Sequence, residues 1–468
     1  MTEESRLDLQ QIDPAVRAPG PFFNACTLTF IALVCLSPIR LLHDAVVLRV
    51  GFGINLIDCI LLLCVILGIL DLIWQPQCPG WHHPCIKAAL WVLFWAIICA
   101  AYGKALGNPT GLIRHQMRPY LMYLPLFFVA RLPSRYFRSK AIAPTVCILA
   151  LASCIGGITG TLTGGMAAVR TETMALARGW EALRGHTHVV AFVMAITLSA
   201  LANRRRDAVL FGVAAALALV GVVVTFTRGL MLSALLGALL LLAMTRGRQR
   251  WRLAGVLLVV VLIGQLSLFL AFRLTPAVAV ARFGTLRAAT GRFVLGPNVA
   301  QRLLTFQYAY AQGTQHFWGL GGTGLGKQVS YWIPGRGRGE ALDPGYAAWF
   351  FRMGWIGLIL LGLWLYFIIR TGYRAWHNAE AMEKPYLLGP LVVVSLYPFM
   401  LLFARPLSLV YTAPISMYLL SIICTADFGQ QIQRARNTDR GPRAADGTAP
   451  QEAQRCGSDE DKEACGRQ

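Results

Sequence analysis

Along this chain long apolar runs alternate with short charged ones, and the runs approach the roughly 20 helical residues that cross a bilayer core. They lie near 22–38, 54–74, 86–103, 119–131, 141–164, 187–202, 208–226, 229–245, 253–272, 345–369, 386–404 and 406–424. This pattern predicts an all-α polytopic membrane protein with about twelve transmembrane helices. The 119–131 run is short, and 39–53 has no clear period. The first run follows a polar N-terminal stretch and has no small-x-small exit, so it is expected to stay as an anchor. The organisation expected is a cytoplasmic segment at 1–21, nine helices within 22–272, a large loop at 273–342, three helices within 343–425 and a disordered tail at 426–468.

Composition agrees with the pattern. Hydrophobic residues make up 56% of the chain and charged residues 14%, against about 25% charged in soluble domains. The mean hydropathy is +0.55. The formal charge is +21, from 43 basic and 22 acidic residues. On a soluble protein that would suggest nucleic acid, but here position decides, and no nucleic-acid partner is expected. With the N-terminus inside, compact inside loops carry Arg131, Arg135, Arg138 and Lys140; Arg204, Arg205 and Arg206; Arg246, Arg248, Arg250 and Arg252; and Arg370, Arg374 and Lys384. That is the positive-inside distribution. Eight of the twelve cysteines fall in or against apolar runs, and Cys456 and Cys465 lie in the tail, so the set reads as reduced or buried. Cys78 and Cys85 bracket His82 and His83 in CPGWHHPC; two prolines in a cramped loop suit tetrahedral zinc poorly, and no metal is expected there.

A second set of basic residues falls on the outer side. The 273–342 loop holds Arg273, Arg282, Arg287, Arg292, Arg302, Lys327, Arg336 and Arg338 against one acid, Glu340. Long loops translocate regardless of charge, so the orientation stands and the outer face is cationic. Arg114, Arg118, Arg170, Arg178, Arg184 and Arg228 add to it. An anionic partner arriving from the membrane suits such a face, either lipid headgroups or a lipid-linked phosphate that guanidinium groups grip bidentately. Arg228 is the sharpest case. It lies in VVVTFTRGLMLSALL, where an arginine is costly unless it faces a cavity or a partner.

Inside the large loop, GPNVAQRLLTFQYAYAQG reads as a helix capped by Asn298 with Gln301 and ended by Gly313. Val299, Leu303, Phe306 and Tyr310 form one apolar face, and Arg302 borders it near the positive end of the helix dipole. Gly319, Gly321 and Gly324 spell G-x-G-x-x-G, but no strand precedes them and no βαβ unit fits here. A flexible or tightly turned loop near the substrate is the expectation, not a dinucleotide site.

Taken together, T-R-G at Thr227–Gly229, Arg302 entering the loop helix, DPGYAAWFFRMGWIG at Asp343–Gly357 and RGHTHVVAF at Arg184–Phe192 resemble the O-antigen polymerase and O-antigen ligase superfamily of polytopic glycosyltransferases. The motifs cover roughly residues 180–370, and the layout agrees along the whole chain. The resemblance implies a GT-C-like membrane fold in a bacterial inner membrane. It also implies transfer of a glycan from an undecaprenyl-diphosphate carrier at the periplasmic face, with no nucleotide sugar and no cofactor. Arg228 and Arg302 match the arginines that hold the diphosphate. Asp343-Pro344 stands where the ligase branch has His-Asn, which favours a polymerase whose acceptor is another carrier-linked repeat. Asp343 is then a candidate base for the attacking hydroxyl, or an N-cap followed by Pro344 at the first helical position. Arg184, His186 and His188 are further substrate contacts or rival bases, and Gly321 and Gly324 belong to the loop beside the substrate. Membrane lipids, a chain-length regulator and a flippase are the implied partners. The alternatives are a ligase, a lipid-linked oligosaccharide flippase or transporter, and an assembly partner. Against transport, only Asp58 and Asp71 sit near a membrane interior, and no internal repeat is visible.

Overall fold

The computed structural model describes residues 21–37, 46–50, 52–74, 83–129, 142–167, 186–224, 228–274, most of 306–321, 345–380, 383–402, 407 and 412–439. The apolar runs become α1 (Pro21–Leu36), α2 (Leu56–Trp74), α3 (Pro84–Ala105), α6 (Ile142–Ala167), α7 (Thr187–Leu201), α8 (Arg205–Val224), α9 (Arg228–Met244), α10 (Gly247–Leu274), α11 (Gly345–Asn378), α12 (Lys384–Met400) and α13 (Ala413–Asp439). Among the described residues five helices are long and apolar enough to cross a membrane: α2, α3, α8, α10 and α11.

Burial separates two kinds of apolar helix. All fifteen residues of α7 are buried, as expected of a helix that is apolar all round and central. At about 1.5 Å per residue it is too short to span alone, and protein surrounds it. By contrast α2 and α10 are just as apolar, yet expose Leu62, Leu63, Ile66, Ile69 and Ile73, and Leu258, Leu262, Leu266 and Phe269. In water such a belt would be a strong drive to aggregate; against lipid tails it costs nothing. The chain is a helical membrane protein.

The 39–53 stretch, which has no clear period, holds most of a short antiparallel hairpin, β1 (Val46–Val50) with β2 (Phe52–Asn55), in an otherwise helical chain. Two expectations need correction. The short 119–131 run is not one span. It divides between α4 (Thr110–Leu121), with Pro119 in its last turn, and α5 (Leu124–Val129). A proline near a helix end lacks the N–H for the ladder and disfavours helix before it, so a short broken element is its natural outcome. Finally, helix continues past residue 426 to Asp439. Asp427 is pinned by His83 Nε2 at 3.1 Å and by Arg374 Nε at 2.8 Å, and Gln430 Nε2 donates to the Ala375 carbonyl.

Arg118 is also not a free outer cation. Asn55 and Asp58 cap α2 reciprocally: the Asp58 N–H donates to Asn55 Oδ1 and the Asn55 N–H to Asp58 Oδ2. Arg118 Nε donates to Asp58 Oδ1 at 2.6 Å, and its Nη2 donates to Asn55 Oδ1, so one arginine clamps the cap to α4.

Contacts sort the helix ends into two sets. The start of α1 meets the end of α2 (Phe22–Trp74), the start of α3 meets α13 and the end of α11 (His83–Asp427–Arg374), and the end of α7 meets the start of α8 (Ser199–Ala208). At the other end, the start of α11 meets the end of α12 (Tyr346–Leu401), and the starts of α7 and α13 meet each other (His186–Ser416). The second is the loop end, from which α11 descends. Exposed Arg204, Arg205, Arg206, Arg246, Arg248, Arg250 and Arg252 belong to the opposite, far end.

Candidate functional site

At the loop end, α3 and α11 run antiparallel, with Cys85 beside Phe367 and Trp95 Nε1 donating to the Met353 carbonyl at 3.0 Å. Ala96, Cys99, Ala100 and Gly103 leave a shallow face on α3 there, and the returning strand of the large loop lies on it. Cys99 Sγ donates to the Trp318 carbonyl, Asn108 Nδ2 donates to the Leu320 carbonyl at 3.0 Å, and Trp95 packs on Trp318 with centroids 5.5 Å apart. A Cβ on Gly103 would stand 1.6 Å from the Gly321 carbonyl oxygen, so only glycine admits this approach.

The same strand fills a break in α11. Gly354 adopts φ 62° and ψ −158°, a region essentially reserved for glycine. The helix carbonyls freed there are taken up by the loop. The Leu320 N–H donates to Phe351 O at 2.9 Å and the Gly321 N–H to Arg352 O at 3.1 Å, while the Trp355 N–H donates to Phe317 O at 3.2 Å. Gly319 and Gly321 have φ of 81° and 57°, so the chain turns tightly there, while Gly322, Gly324 and Gly326 lie outside the described residues. Upstream, helix continues through Gly313 to Gln315 instead of ending at the glycine. A Cβ on Gly313 would meet the Phe350 ring at 2.2 Å, so packing, not termination, requires the glycine. The docking face is Phe306, Ala309 and Gly313 against Ala347, Ala348 and Phe351, whereas Tyr310 is exposed and stacks on Phe350.

This junction buries Arg352, at 7% exposure, beside Cys99, Ile113, Gln116, Met117 and Tyr120. No hydrogen bond or ion pair of its guanidinium falls among the described residues. The adjoining cavity is about 10 Å³, about what one water requires, so a sugar does not fit here without movement. Arg352 was not singled out from the sequence. The signal was present: an arginine inside AAWFFRMGWIG is as costly as Arg228 in its own apolar run.

The other candidates separate. Arg228 is the first residue of α9, at the loop end. His186 and His188 flank the start of α7 but are buried in the bundle, at 1% and 0% exposure. His186 Nε2 lies 3.3 Å from Ser416 Oγ, to which Tyr397 OH donates, and His188 Nδ1 contacts Ser153 Oγ. Buried this deeply and held at Ser416, His186 is out of reach of a substrate hydroxyl in this structure, so it suits a structural polar link better than proton abstraction. Gly321 lies in the junction. Arg184, Arg302, Gly324 and Asp343 lie outside the described residues, as do Asn298 and Pro344.

Comparison with known proteins adds no name: no protein-family model matches the chain, and no curated protein sequence matches it. Among the described residues a group of metal-ligand side chains stands elsewhere, at the far end, where His83, Cys85 and Cys424 each present a ligand atom within 4.8 Å of the others, all three residues buried. The CPGWHHPC reading foresaw no ligand from Cys424, which the sequence places on a helix far along the chain.

Proposed function

We propose that this protein is a polysaccharide polymerase of a bacterial inner membrane, transferring a glycan from undecaprenyl diphosphate to another lipid-linked repeat at the periplasmic face. The observation that carries it is the loop end itself. A strongly basic loop returns onto a broken α11 beside Arg352, which is buried against α3 and α4, and that end of the bundle also holds the start of α9 at Arg228. Fixed cations in a low-dielectric site are what a departing diphosphate requires, since its charge grows in the transition state. In this reading the acceptor hydroxyl oxygen attacks the anomeric carbon and the bond from that carbon to the diphosphate oxygen breaks. Asp343 takes the hydroxyl proton, and Arg228 and Arg302 hold the leaving undecaprenyl diphosphate.

The break in α11 favours one competing reading, a lipid-linked oligosaccharide flippase, because transporters use broken helices to bind substrate. Here the carbonyls of Phe351, Arg352 and Met353 each already accept a hydrogen bond, from the N–H groups of Leu320 and Gly321 and from Trp95 Nε1, which ties both sides of the break to their neighbours. That argues for a rigid scaffold over a moving gate.

The test is Arg228→Ala, Arg228→Lys and Arg302→Ala in cells, with membrane protein level checked. All three are expected to lose polymer and accumulate single lipid-linked repeats at the outer face, Lys included because it lacks the planar fork. Accumulation at the inner face would instead identify a flippase.

A further inference from the structure

α3 begins with His83 as its N-cap and Pro84 at its first position, an arrangement that turns the His83 ring back over the first helical turn. Cys85 Sγ, in that turn, lies 3.1 Å from Thr371 Oγ1 of α11. Cys424 of α13 completes a group of three ligand atoms within 4.8 Å, all buried. The Nε2 side of the His83 ring is occupied, since Nε2 lies 3.1 Å from Asp427 Oδ2, and Asp427 is in turn held by Arg374. Metal-bound histidines characteristically donate their second N–H to a carboxylate in this way, which fixes the tautomer and turns the other nitrogen to the ion. The atom left for the ion is Nδ1, whose present contact with the Cys85 N–H is a long 3.3 Å.

We propose that His83, Cys85 and Cys424 form a zinc-class metal site that ties α3 to α13 at the far end of the bundle. Asp427 is its outer carboxylate, and Thr371 Oγ1 or a water takes the fourth position. Ligand chemistry selects the ion: two thiolates and an imidazole suit zinc, whereas calcium and magnesium require oxygen ligands. Charge selects it again. A dication with two thiolates and a neutral imidazole sums to zero, and Asp427 with Arg374 sums to zero beside it. A monovalent copper ion would leave the buried site with a net negative charge, which is costly in apolar surroundings. Each thiol gives up its proton on binding and the sulfur forms a bond to the ion, so no oxidant or reductant is involved. The ion would join segments far apart in sequence, because His83 and Asp427 are 344 positions apart. It therefore acts as a structural clip and takes no part in the glycosyl transfer proposed for the opposite end.

The test uses the full-length protein in detergent, reduced, in a Cys78→Ser/Cys456→Ser/Cys465→Ser background that removes thiols outside the described helices. Loading with Zn²⁺ or Co²⁺ is expected to give about one ion per chain, with thiolate-to-cobalt charge-transfer bands and strong four-coordinate visible bands. Cys85→Ser and Cys424→Ser each abolish those bands, while Asp427→Asn keeps them and weakens affinity about 10–100-fold. If the serine variants fail to accumulate, the background chain alone decides, because Zn²⁺ should protect Cys85 and Cys424 from alkylation as mapped by mass spectrometry. No stoichiometric ion, unchanged binding in Cys424→Ser, absence of protection, or a Cys85–Cys424 disulfide in place of the ion overturns the site.

Discussion

Replacing Gly103 by alanine perturbs the junction at its tightest point. The new Cβ would stand 1.6 Å from the Gly321 carbonyl oxygen and 2.5 Å from its carbon. These are backbone atoms with no rotamer to change, so the loop strand must lift. Lifting it breaks the bonds from Leu320 N–H to Phe351 O, from Gly321 N–H to Arg352 O and from Asn108 Nδ2 to Leu320 O. At about 1 kcal/mol net for each, the loss is about 3 kcal/mol, at the upper end of the usual cost of overpacking. At 1.4 kcal/mol per decade the open form of the junction gains more than about a hundredfold in population. Hydrogen exchange on the purified protein reads this directly. The Leu320 and Gly321 amides should be protected in the parent and exchange about a hundredfold faster in Gly103→Ala, while the interior of α7 is unchanged. Gly111→Ala is the control, since a Cβ there meets nothing within 4 Å. Equal exchange in Gly103→Ala and the parent would refute the account of how the loop is seated.

Arg118→Ala should lower thermal stability in detergent by about 2 kcal/mol, because a charged partner is removed from the Asn55–Asp58 cap; lost polymerisation at unchanged stability would return Arg118 to the substrate site. For topology, Gly335→Cys in a background freed of reactive thiols should react with a membrane-impermeant reagent in intact cells, and labelling only after lysis would overturn the orientation. Asp343→Asn should abolish transfer if Asp343 is the base, although Asn caps a helix almost as well; if Asp343 only caps, Asn is nearly silent and Asp343→Ala loses about 1 kcal/mol of helix stability.

The helices were legible because a bilayer imposes a single length and one composition on them. The apolar runs at 54–74, 86–103 and 208–226 return as α2, α3 and α8 with ends shifted by a few residues. What the runs conceal is which helices face protein: α7 and α2 read alike, and burial alone separates them. Local polarity misled at Arg118 and Asp427, because a charge reads as solvated until its partner is known, and those partners lie 60 and 53 or more positions away. Glycine was the better guide. The G-x-G spacing at Gly319 and Gly321 marked a special stretch of backbone, although neither the break at Gly354 nor the way the two segments fill each other's gaps was visible. Arg352 escaped notice because its neighbours form an apolar helix, the same ground on which Arg228 stood out.

Polymerase chemistry at the loop end is tested most directly with purified undecaprenyl-diphosphate-linked repeat units and the detergent-solubilised protein. The account predicts a ladder of lipid-linked oligomers and release of undecaprenyl diphosphate without any nucleotide sugar, both lost in Arg228→Ala at equal protein. Intact single repeats after incubation with well-folded protein, or an undiminished ladder from Arg228→Ala, would contradict it.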